Sequence, residues 1–276
     1  MKKLVSLLLL LSLTLVGAVG CGGDDATNNG DNTELTPVVV GATPTPHAEV
    51  LEVLKPMMAE AGYDLQIVEF TDYVQPNLTL ENGELDANYF QHITYMNNFN
   101  EENDTHLVSI ADIHYEPMGI YAGKTAALDA LAEGATVGVP ADTTNEARAL
   151  LLLEAAGLIK LNPEAGLTAT IHDVTENALN LEIIEMEAAQ LPRSLADLDI
   201  AVINANYALQ AELSVTDALM AEAADSTAAQ AYANVLTVRE GDEQDAGLLA
   251  LVDALKSDTC RDFIIETYNN SVQPLF

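Results

Sequence analysis

The chain has few positive charges. Its 276 residues include 10 Lys and Arg against 43 Asp and Glu, which gives a formal net charge of -33. This balance excludes nucleic acid as an expected partner, because contacts to phosphates need a basic surface. It also argues against attachment to anionic lipid headgroups by charge. Only four residues are arginines, so an arginine at the start of an apolar helix is a candidate functional residue.

Cysteine, aromatic residues and catalytic motifs are also scarce. Tryptophan is absent, 5% of the residues are aromatic, and the two cysteines are Cys21 and Cys260. Cys21 belongs to the N-terminal signal described below, which leaves Cys260 without a partner, so no disulfide framework is expected. Cys260 lies in a predicted helical segment and is interpreted as a small core residue. The sequence has no G-x-S-x-G elbow, H-E-x-x-H motif, paired C-x-x-C or phosphate-cradling glycine loop. No enzymatic activity and no cofactor are therefore expected.

The N-terminus has the pattern of an export signal. Lys2 and Lys3 precede an apolar run from Leu4 to Val16, and small residues lead to Cys21. The run is too short for a membrane span. It resembles a bacterial lipoprotein signal, which predicts removal of residues 1–20 and lipidation of Cys21, although Ala18 stands where Leu is usual. A plain secretory signal is the alternative. Residues 21–36 are mostly polar and predict a flexible tether.

The remaining chain predicts an α/β protein. Val38–Val40 forms an apolar strand, a helix follows to about Glu60, and a second strand runs from Leu65 to Phe70. Such a βαβ unit predicts a parallel sheet with helices on its faces. A break at Pro117 and a returning strand near Tyr232 predict two lobes. Their boundaries are residues 37–116 with 233–276 for lobe 1, and residues 117–232 for lobe 2.

The stretch from Val137 to Leu153 predicts a strand, a loop and a buried helix. Thr143 followed by Glu146 is the pattern of a capping box, so the helix is expected to begin at Thr143. Asn145 and Arg148 then share one face of its first turns. Because a buried charge without a partner is very costly, Arg148 needs an anion. That anion is either the carboxylate of a ligand or the acid of an internal salt bridge.

Several aromatic and amide side chains are candidates for a pocket with a polar rim. The alternative is that the aromatic side chains pack in the core. Asn204 follows the predicted strand Ile200–Ile203, at the end of the strand where α/β sheets place their ligands. The candidates from the aromatic-rich segments are Tyr73, Asn88, Phe90, His92 and Tyr95.

A metal site is the less favoured alternative. Asp112, His114 and Glu116 alternate along one predicted strand, and His106 and His92 are near in sequence. Carboxylate and imidazole groups could bind a divalent ion. Alternating polar residues are more simply the solvated face of a strand, and no metal is expected.

Six segments, taken together, carry a resemblance to a known family. They are residues 40–49, 70–77, 86–92, 139–148, 187–195 and 201–207. They resemble the methionine-binding lipoproteins of ABC importers, the NlpA/MetQ-type substrate-binding proteins. The resemblance runs in order through the whole mature chain and implies a bilobal periplasmic-binding-protein fold, with two parallel-rich sheet domains, helices on both faces and a ligand cleft between them.

The resemblance also implies roles for individual residues. Arg148 would bind the carboxylate of the ligand, with Asn145 beside it. Asn204 and Asn234 would bind the α-amino group, with a contribution from Asn88. The thioether would lie among four rings, where contacts between sulfur and aromatic rings are favourable. These are the rings of Tyr73, Phe90, His92 and Tyr95.

The implied protein captures methionine outside the cytoplasm and is held at the cell membrane by its N-terminal lipid. It would deliver the ligand to an ABC importer, made of a membrane permease and its cytoplasmic ATPase. L-methionine is the first expectation, and D-methionine or a methionine-containing dipeptide is the alternative. A metal-binding transport lipoprotein is a less favoured alternative. Two departures from the family pattern, Ala141 and Thr143, lie in the loop before Arg148.

Overall fold

Two β-sheets organise the part of the chain that the computed structural model describes, residues 34–223 and 231–276. The predicted signal, Cys21 and most of the predicted tether lie outside the described residues. Residues 34–276 form one compact unit. The strands are β1 Thr36–Ala42, β2 Tyr63–Glu69, β3 Ala87–His92, β4 Leu107–Tyr115, β5 Gly119–Ala122, β6 Thr136–Pro140, β7 Lys160–Leu161, β8 Val174–Glu176, β9 Glu182–Met186, β10 Ile200–Ile203, β11 Met220–Ala221, β12 Ala233–Arg239 and β13 Gln273–Pro274.

Helices connect these strands. They are α1 Glu49–Glu60, α2 Gln75–Glu81, α3 Ile93–Asn103, α4 Thr143–Ala155, α5 Leu191–Ser194, α6 Ala205–Gln210, α7 Ala246–Leu255 and α8 Asp258–Tyr268. Short helical segments also occur at Pro44–Ala48, Leu128–Ala130, Gly166–Thr168, Ile171–Asp173, Ala188–Gln190 and Val215–Asp217. Among the described residues, no helix is both long enough and apolar enough to cross a bilayer.

The first sheet has six strands in the order β13-β4-β12-β3-β1-β2. Strand β1 pairs in parallel with both β2 and β3, and β12 pairs antiparallel with β3 and β4. The predicted βαβ unit is therefore confirmed, with α1 connecting β1 to β2. Strand β12 comes from the end of the chain yet lies in the middle of this sheet, as the predicted returning strand requires.

The second sheet has five strands in the order β11-β5-β10-β6-β9. Strand β6 pairs in parallel with β9 and β10, and β5 pairs antiparallel with β10 and β11. Both sheets are thus mixed. A third, two-stranded sheet joins β7 to β8.

Each large sheet has its own apolar core. Val40, Leu54 and Ile264 pack in the first core, where Cys260 is 1% exposed, as expected for a small core residue. Leu150 and Val202 pack in the second. Fully burying an aliphatic side chain of this size contributes about 1.5–3 kcal/mol. Two separate cores leave a cleft in which polar side chains can gather.

Helix α4 begins at Thr143 as predicted, but its capping residue differs from the prediction. Asp142 is the residue that caps the helix, since its side chain accepts a hydrogen bond from the Asn145 backbone N–H. The expected capping box of Thr143 and Glu146 is wrong. The Thr143 hydroxyl donates to Glu102, and the Glu146 carboxylate accepts from the Ile171 backbone N–H. Asp142 is the N-cap residue because its backbone is extended and its carboxylate reaches the free N–H groups of the first turn.

The residues from Lys124 to Ala132 predict a short helix, whereas the structure has a single turn at Leu128–Ala130. The backbone N–H groups of Lys124 and Thr125 donate to the carbonyl oxygens of Leu198 and Asp199. These bonds hold the start of the segment beside the residues that precede β10.

Candidate functional site

A small, partly enclosed cavity lies between the two sheets. Its walls come from segments that follow strands of both sheets, where α/β proteins place their ligands. Eight of the nine residues predicted from the sequence line it. The lining residues are Tyr73, Phe90, Gln91, His92, Tyr95, Glu116, Asn145, Arg148, Asn204, Ala205, Asn206 and Asn234.

Arg148 is buried beside the cavity and has an internal acidic partner. Its Nε and Nη2 atoms donate to the two carboxylate oxygens of Glu222 at 2.9 and 2.6 Å. Nη2 also donates to the backbone carbonyl oxygen of Glu116 at 2.7 Å. Burial acts to lower the pKa of Arg148, but the Glu222 carboxylate outweighs it and raises the pKa. The internal salt bridge left open by the sequence is therefore present, and Arg148 still lines the cavity.

The orientation of Asn145 follows from its neighbour Asp142. The Asp142 carboxylate accepts from the backbone N–H of Asn145 at 3.0 Å and from its side-chain Nδ2 at 2.8 Å. The other side-chain atom, Oδ1, therefore faces the Nδ2 of Asn204 at 2.7 Å and the Nε2 of His92 at 3.2 Å. Because Asn204 donates to Asn145 through Nδ2, the Oδ1 atom of Asn204 points away from Asn145. Among the described residues, that buried oxygen has no hydrogen-bond donor.

His92 is a neutral imidazole with one tautomer. It caps α3, and its Nδ1 accepts from the Tyr95 backbone N–H at 3.0 Å. The ring proton is therefore on Nε2, which donates to Asn145. Burial lowers the pKa of His92 to about 3, and the nearby charge of Arg148 acts in the same direction. His92 therefore contributes no positive charge at neutral pH.

Asn206 adds a free donor to the same cavity. Its Oδ1 accepts from the Tyr73 hydroxyl at 2.6 Å. Its Nδ2 is buried, and no acceptor for it exists in residues 34–223 or 231–276. Because a buried polar atom without a partner costs about 1–3 kcal/mol, the unpaired oxygen of Asn204 and the unpaired nitrogen of Asn206 favour a ligand that has both a donor and an acceptor.

Three aromatic rings form a contiguous surface beside these polar groups. The ring centroid of Tyr73 lies 5.9 Å from that of Phe90 and 5.7 Å from that of Tyr95. Phe90 and Tyr95 belong to a small apolar cluster with Phe99. Ring packing of this kind offers an apolar and polarisable surface to part of a ligand.

Glu116 is a charged residue that lines the cavity but is not among the site residues predicted from the sequence. It directly follows β4, and its Oε1 lies 2.7 Å from Nε2 of His114 and 3.3 Å from Nε2 of His47. The sequence interpretation of a solvated strand face is wrong for His114 and Glu116, which are 0% and 6% exposed, and it holds for Asp112, which is exposed. The register of β4 shifts between Asp112 and His114, which breaks the simple alternation.

His47, His114 and Glu116 deserve comparison with a metal site. Their nearest ligand atoms lie within 4.8 Å of one another, and the described residues contain no other such group. Two imidazoles and a carboxylate are suitable ligands for zinc. However, Nε2 of His114 donates to Glu116 and Nε2 of His47 donates to Asn234, so both nitrogens carry protons and have no free lone pair for an ion. The geometry favours a hydrogen-bonded carboxylate.

Two predicted residues have supporting positions. Asn88 is fully buried outside the cavity lining, and its Nδ2 donates to the carbonyl oxygen of Pro76 and to Oδ1 of Asn77. It therefore holds α2 against β3. Asn234 lines the cavity, and its Oδ1 faces Nε2 of His47 at 3.0 Å. The sequence prediction also lacked Gln91, Ala205 and Asn206. Asn206 could have been predicted from the sequence, because it belongs to the same amide-rich segment as Asn204.

A family model described as NlpA lipoprotein matches residues 38–276. The chain belongs to the NlpA lipoprotein family. This membership confirms the resemblance stated from the sequence. Among relatives of this family, the chain is 41% identical over 265 residues to the membrane lipoprotein TpN32 of Treponema pallidum, which covers 96% of this chain and 93% of the relative. It is 38% identical over 255 residues to the D-methionine-binding lipoprotein MetQ of Escherichia coli, which covers 91% and 90%.

A solved structure of a nutrient-binding protein from Burkholderia cenocepacia, bound to methionine, is 40% identical to this chain and has a TM-score of 0.83. It covers 87% of this chain and 100% of its own. The likeness confirms the bilobal α/β fold expected for the family. The family consists of binding lipoproteins of transporters and not of enzymes, as expected from the sequence.

Proposed function

We propose that this protein binds methionine in the cavity between its sheets and delivers it to an ABC importer. The observation that carries the proposal is the composition of one cavity wall. It presents a carboxylate, an arginine, an unpaired amide oxygen and an unpaired amide nitrogen next to three aromatic rings. This pattern complements an amino acid with an apolar, sulfur-containing side chain.

The carboxylate of the ligand is assigned to Arg148 and the Nδ2 of Asn206. Nε and Nη2 of Arg148 are occupied by Glu222, whereas no hydrogen bond within the described part of the chain involves Nη1. Nη1 can therefore donate to a ligand. Asn145 supports this contact from the same turn of α4. Charge-assisted hydrogen bonds of this kind are among the strong ones in a site shielded from water.

The ammonium group of the ligand is assigned to three acceptors. They are the Glu116 carboxylate, the unpaired Oδ1 of Asn204 and the side-chain oxygen of Asn234. The thioether is assigned to the rings of Tyr73 and Phe90 with His92 and Tyr95 beside them. Asn88 is assigned a supporting role, because its contacts hold the start of β3 and not the cavity wall.

The two lobes are proposed to close over the ligand. Lobe 1 comprises residues 37–116 and 233–276, and lobe 2 comprises residues 117–232. The sheets support this division, since the strands of the first sheet lie in lobe 1, apart from the first residue of β1, and all strands of the second lie in lobe 2. The two lobes contact each other across the cleft, where the Tyr73 hydroxyl donates to Asn206 and the Tyr207 hydroxyl donates to the Thr71 carbonyl oxygen. Hinge closure around a ligand is the general behaviour of bilobal binding proteins.

Attachment to the membrane is proposed through a lipid on Cys21, on the outer side of the membrane. The signal pattern of residues 1–20 and the polar residues 21–36 support this arrangement, in which a tether holds the folded part near its importer. The proposed partners are the membrane permease of that importer and its cytoplasmic ATPase. Mass spectrometry of the membrane-extracted protein tests the anchor, because a diacylated N-terminal cysteine has a characteristic added mass.

Isothermal calorimetry tests the ligand. Residues 34–276, which form one compact unit, are unfolded, refolded to remove any copurified ligand, and titrated with L-methionine, D-methionine, a methionine dipeptide, leucine and zinc. An exothermic one-to-one response to a methionine species, and none to leucine or zinc, is expected. The strongest response identifies the ligand form. Silence with every methionine species would refute the proposal, and a response to zinc alone would favour the metal-binding alternative.

A further inference from the structure

Two buried histidines lie beside the carboxylate of Glu116. The side chains of His47 and His114 are 1% and 0% exposed, and their Nε2 atoms lie 3.3 and 2.7 Å from Oε1 of Glu116. Nε2 of His47 also lies 3.0 Å from Oδ1 of Asn234. The Glu116 side chain is 7% exposed and, like Asn234, lines the cavity. The two imidazoles lie behind these groups, outside the cavity lining, and therefore act on the cavity through Glu116 and Asn234.

Two hydroxyl groups determine where the ring protons are. Thr43 Oγ1 lies 2.7 Å from Nδ1 of His47, and the Tyr89 hydroxyl bonds Nδ1 of His114. A hydroxyl that donates to Nδ1 leaves the proton of a neutral imidazole on Nε2. Burial lowers the pKa of His47 to about 4 and that of His114 to about 3, so both rings are neutral at neutral pH. The Nε2–H of His114 then donates to Glu116, and the Nε2–H of His47 donates to Oδ1 of Asn234 at 3.0 Å, with Glu116 Oε1 nearby at 3.3 Å.

Burial raises the pKa of Glu116, whereas the charge of Arg148 and the Asn206 backbone N–H act in the opposite direction and favour the carboxylate. Arg148 is the nearest permanent cation, and its Nε and Nη2 are already paired with Glu222. Nη2 of Arg148 also fixes the backbone carbonyl oxygen of Glu116. Asn234 faces His47, and the Asn206 backbone N–H bonds the Glu116 carboxylate. Glu116 is thus held by neutral donors at its side chain and by Arg148 at its backbone.

We infer that His114 and His47 are positioning residues that orient, respectively, the Glu116 carboxylate and the Asn234 side-chain oxygen toward the ammonium group of the ligand. The inference rests on the proposed function. A neutral N–H donor fixes each acceptor in place without adding a positive charge. An ammonium group that enters the cavity then meets an acceptor already in the right orientation, and the cost of ordering a flexible glutamate is avoided.

The test compares methionine with desaminomethionine, in which hydrogen replaces the α-amino group. In the His114→Leu variant we expect methionine affinity to fall by about tenfold, the loss typical of a weakened charge-assisted hydrogen bond. Affinity for desaminomethionine should stay within about twofold, because that ligand does not use Glu116. His114→Gln keeps an N–H donor near the same position and should restore most of the methionine affinity. Calorimetry gives both affinities.

Two further variants complete the experiment. His106 is an exposed histidine that also contacts a carboxylate, Glu81, so His106→Leu is the matched control and should change neither affinity. Thr43→Val removes the hydroxyl that bonds Nδ1 of His47 with little change of shape. It should lower the affinity for methionine but not the affinity for desaminomethionine. If His114→Leu does not fold, this variant tests the positioning role in its place.

Equal loss of affinity for both ligands in His114→Leu, or in Thr43→Val if the first does not fold, would show a purely structural role and overturn the inference. The unsubstituted protein distinguishes this result from failure of the proposed function. If it binds methionine while the variants show no selectivity, only the role of the two histidines is refuted. If it binds no methionine species, the proposed function fails and the inference fails with it.

Discussion

The cavity has a charged wall and an aromatic wall, and the two are built differently. The aromatic wall, Tyr73, Phe90 and Tyr95, comes from one stretch of chain, and its rings contact one another directly. The charged wall, Glu116 and Arg148, depends on partners that are distant in sequence, His47 and Glu222 among them. An apolar surface tolerates substitution by a similar volume, whereas a buried charge depends on each of its partners.

The largest effect is expected from Arg148→Ala on the charged wall. It removes the group assigned to the ligand carboxylate and leaves Glu222 buried without its cation. We expect methionine affinity to fall by about a hundredfold or more and the free energy of unfolding to fall by about 3–5 kcal/mol. Calorimetry and urea unfolding measure the two effects. Arg193→Ala, at an exposed arginine, should change neither. Unchanged affinity in Arg148→Ala would remove Arg148 from the site.

A pH-dependent effect is expected at His92, which contacts Asn145 and the ring of Tyr95. In the unfolded chain His92 takes up a proton near its ordinary pKa of 6.5, whereas in the folded protein it does so only near 3. Between these values the unfolded state binds more protons, so this histidine makes the protein less stable as the pH falls. The contribution is full above pH 6.5 and shrinks below it.

His92→Gln removes this titration and retains an N–H donor toward Asn145. From pH 8 to pH 5, the ligand-free unsubstituted protein should lose about 2 kcal/mol more stability than the variant. Other groups titrate in both proteins and cancel from the difference. Urea unfolding at the two pH values gives the comparison. Parallel losses would contradict a neutral, buried His92.

A smaller effect is expected on the aromatic wall. Phe90→Leu keeps most of the apolar volume and removes the ring, so methionine affinity should fall by about fivefold, within the range of sulfur–aromatic contacts. Phe99→Leu is the matched control, because Phe99 belongs to the same cluster but does not line the cavity. It should reduce stability without reducing affinity. If Phe90→Leu lost as much methionine affinity as Arg148→Ala, the aromatic wall would be as sensitive to substitution as the charged wall, and the proposed difference between them would be wrong.

The smallest effects concern the helix that carries Arg148. Asp142→Ala removes the cap of α4 and the acceptor that orients Asn145, and should cost about 1 kcal/mol of stability with a modest loss of affinity. Thr143→Ala removes only an exposed contact with Glu102 and should change stability by less than about 0.5 kcal/mol. Thermal unfolding compares the pair. A larger loss of stability in Thr143→Ala than in Asp142→Ala would indicate that Thr143, and not Asp142, caps the helix.

The sequence predicted the parts of the site that depend on local pattern. Phe90 and His92 occur in one aromatic-rich segment, and Asn145 with Arg148 follows the spacing of a helix turn. Those relations survive folding because they are set by backbone geometry. The error at Thr143 is also local, since two neighbouring residues, Asp142 and Thr143, can both cap a helix and only the backbone conformation chooses between them.

By itself, the sequence determined the α/β class, the βαβ start of the first sheet, the acidic surface and the residue types available for a site. Only the tertiary structure decided which charges meet. It paired Arg148 with Glu222 and brought His47 to Glu116, although 74 and 69 residues separate these partners in the chain. Periodicity describes neighbours along one element, whereas contacts between elements depend on how two cores and the cleft between them are packed.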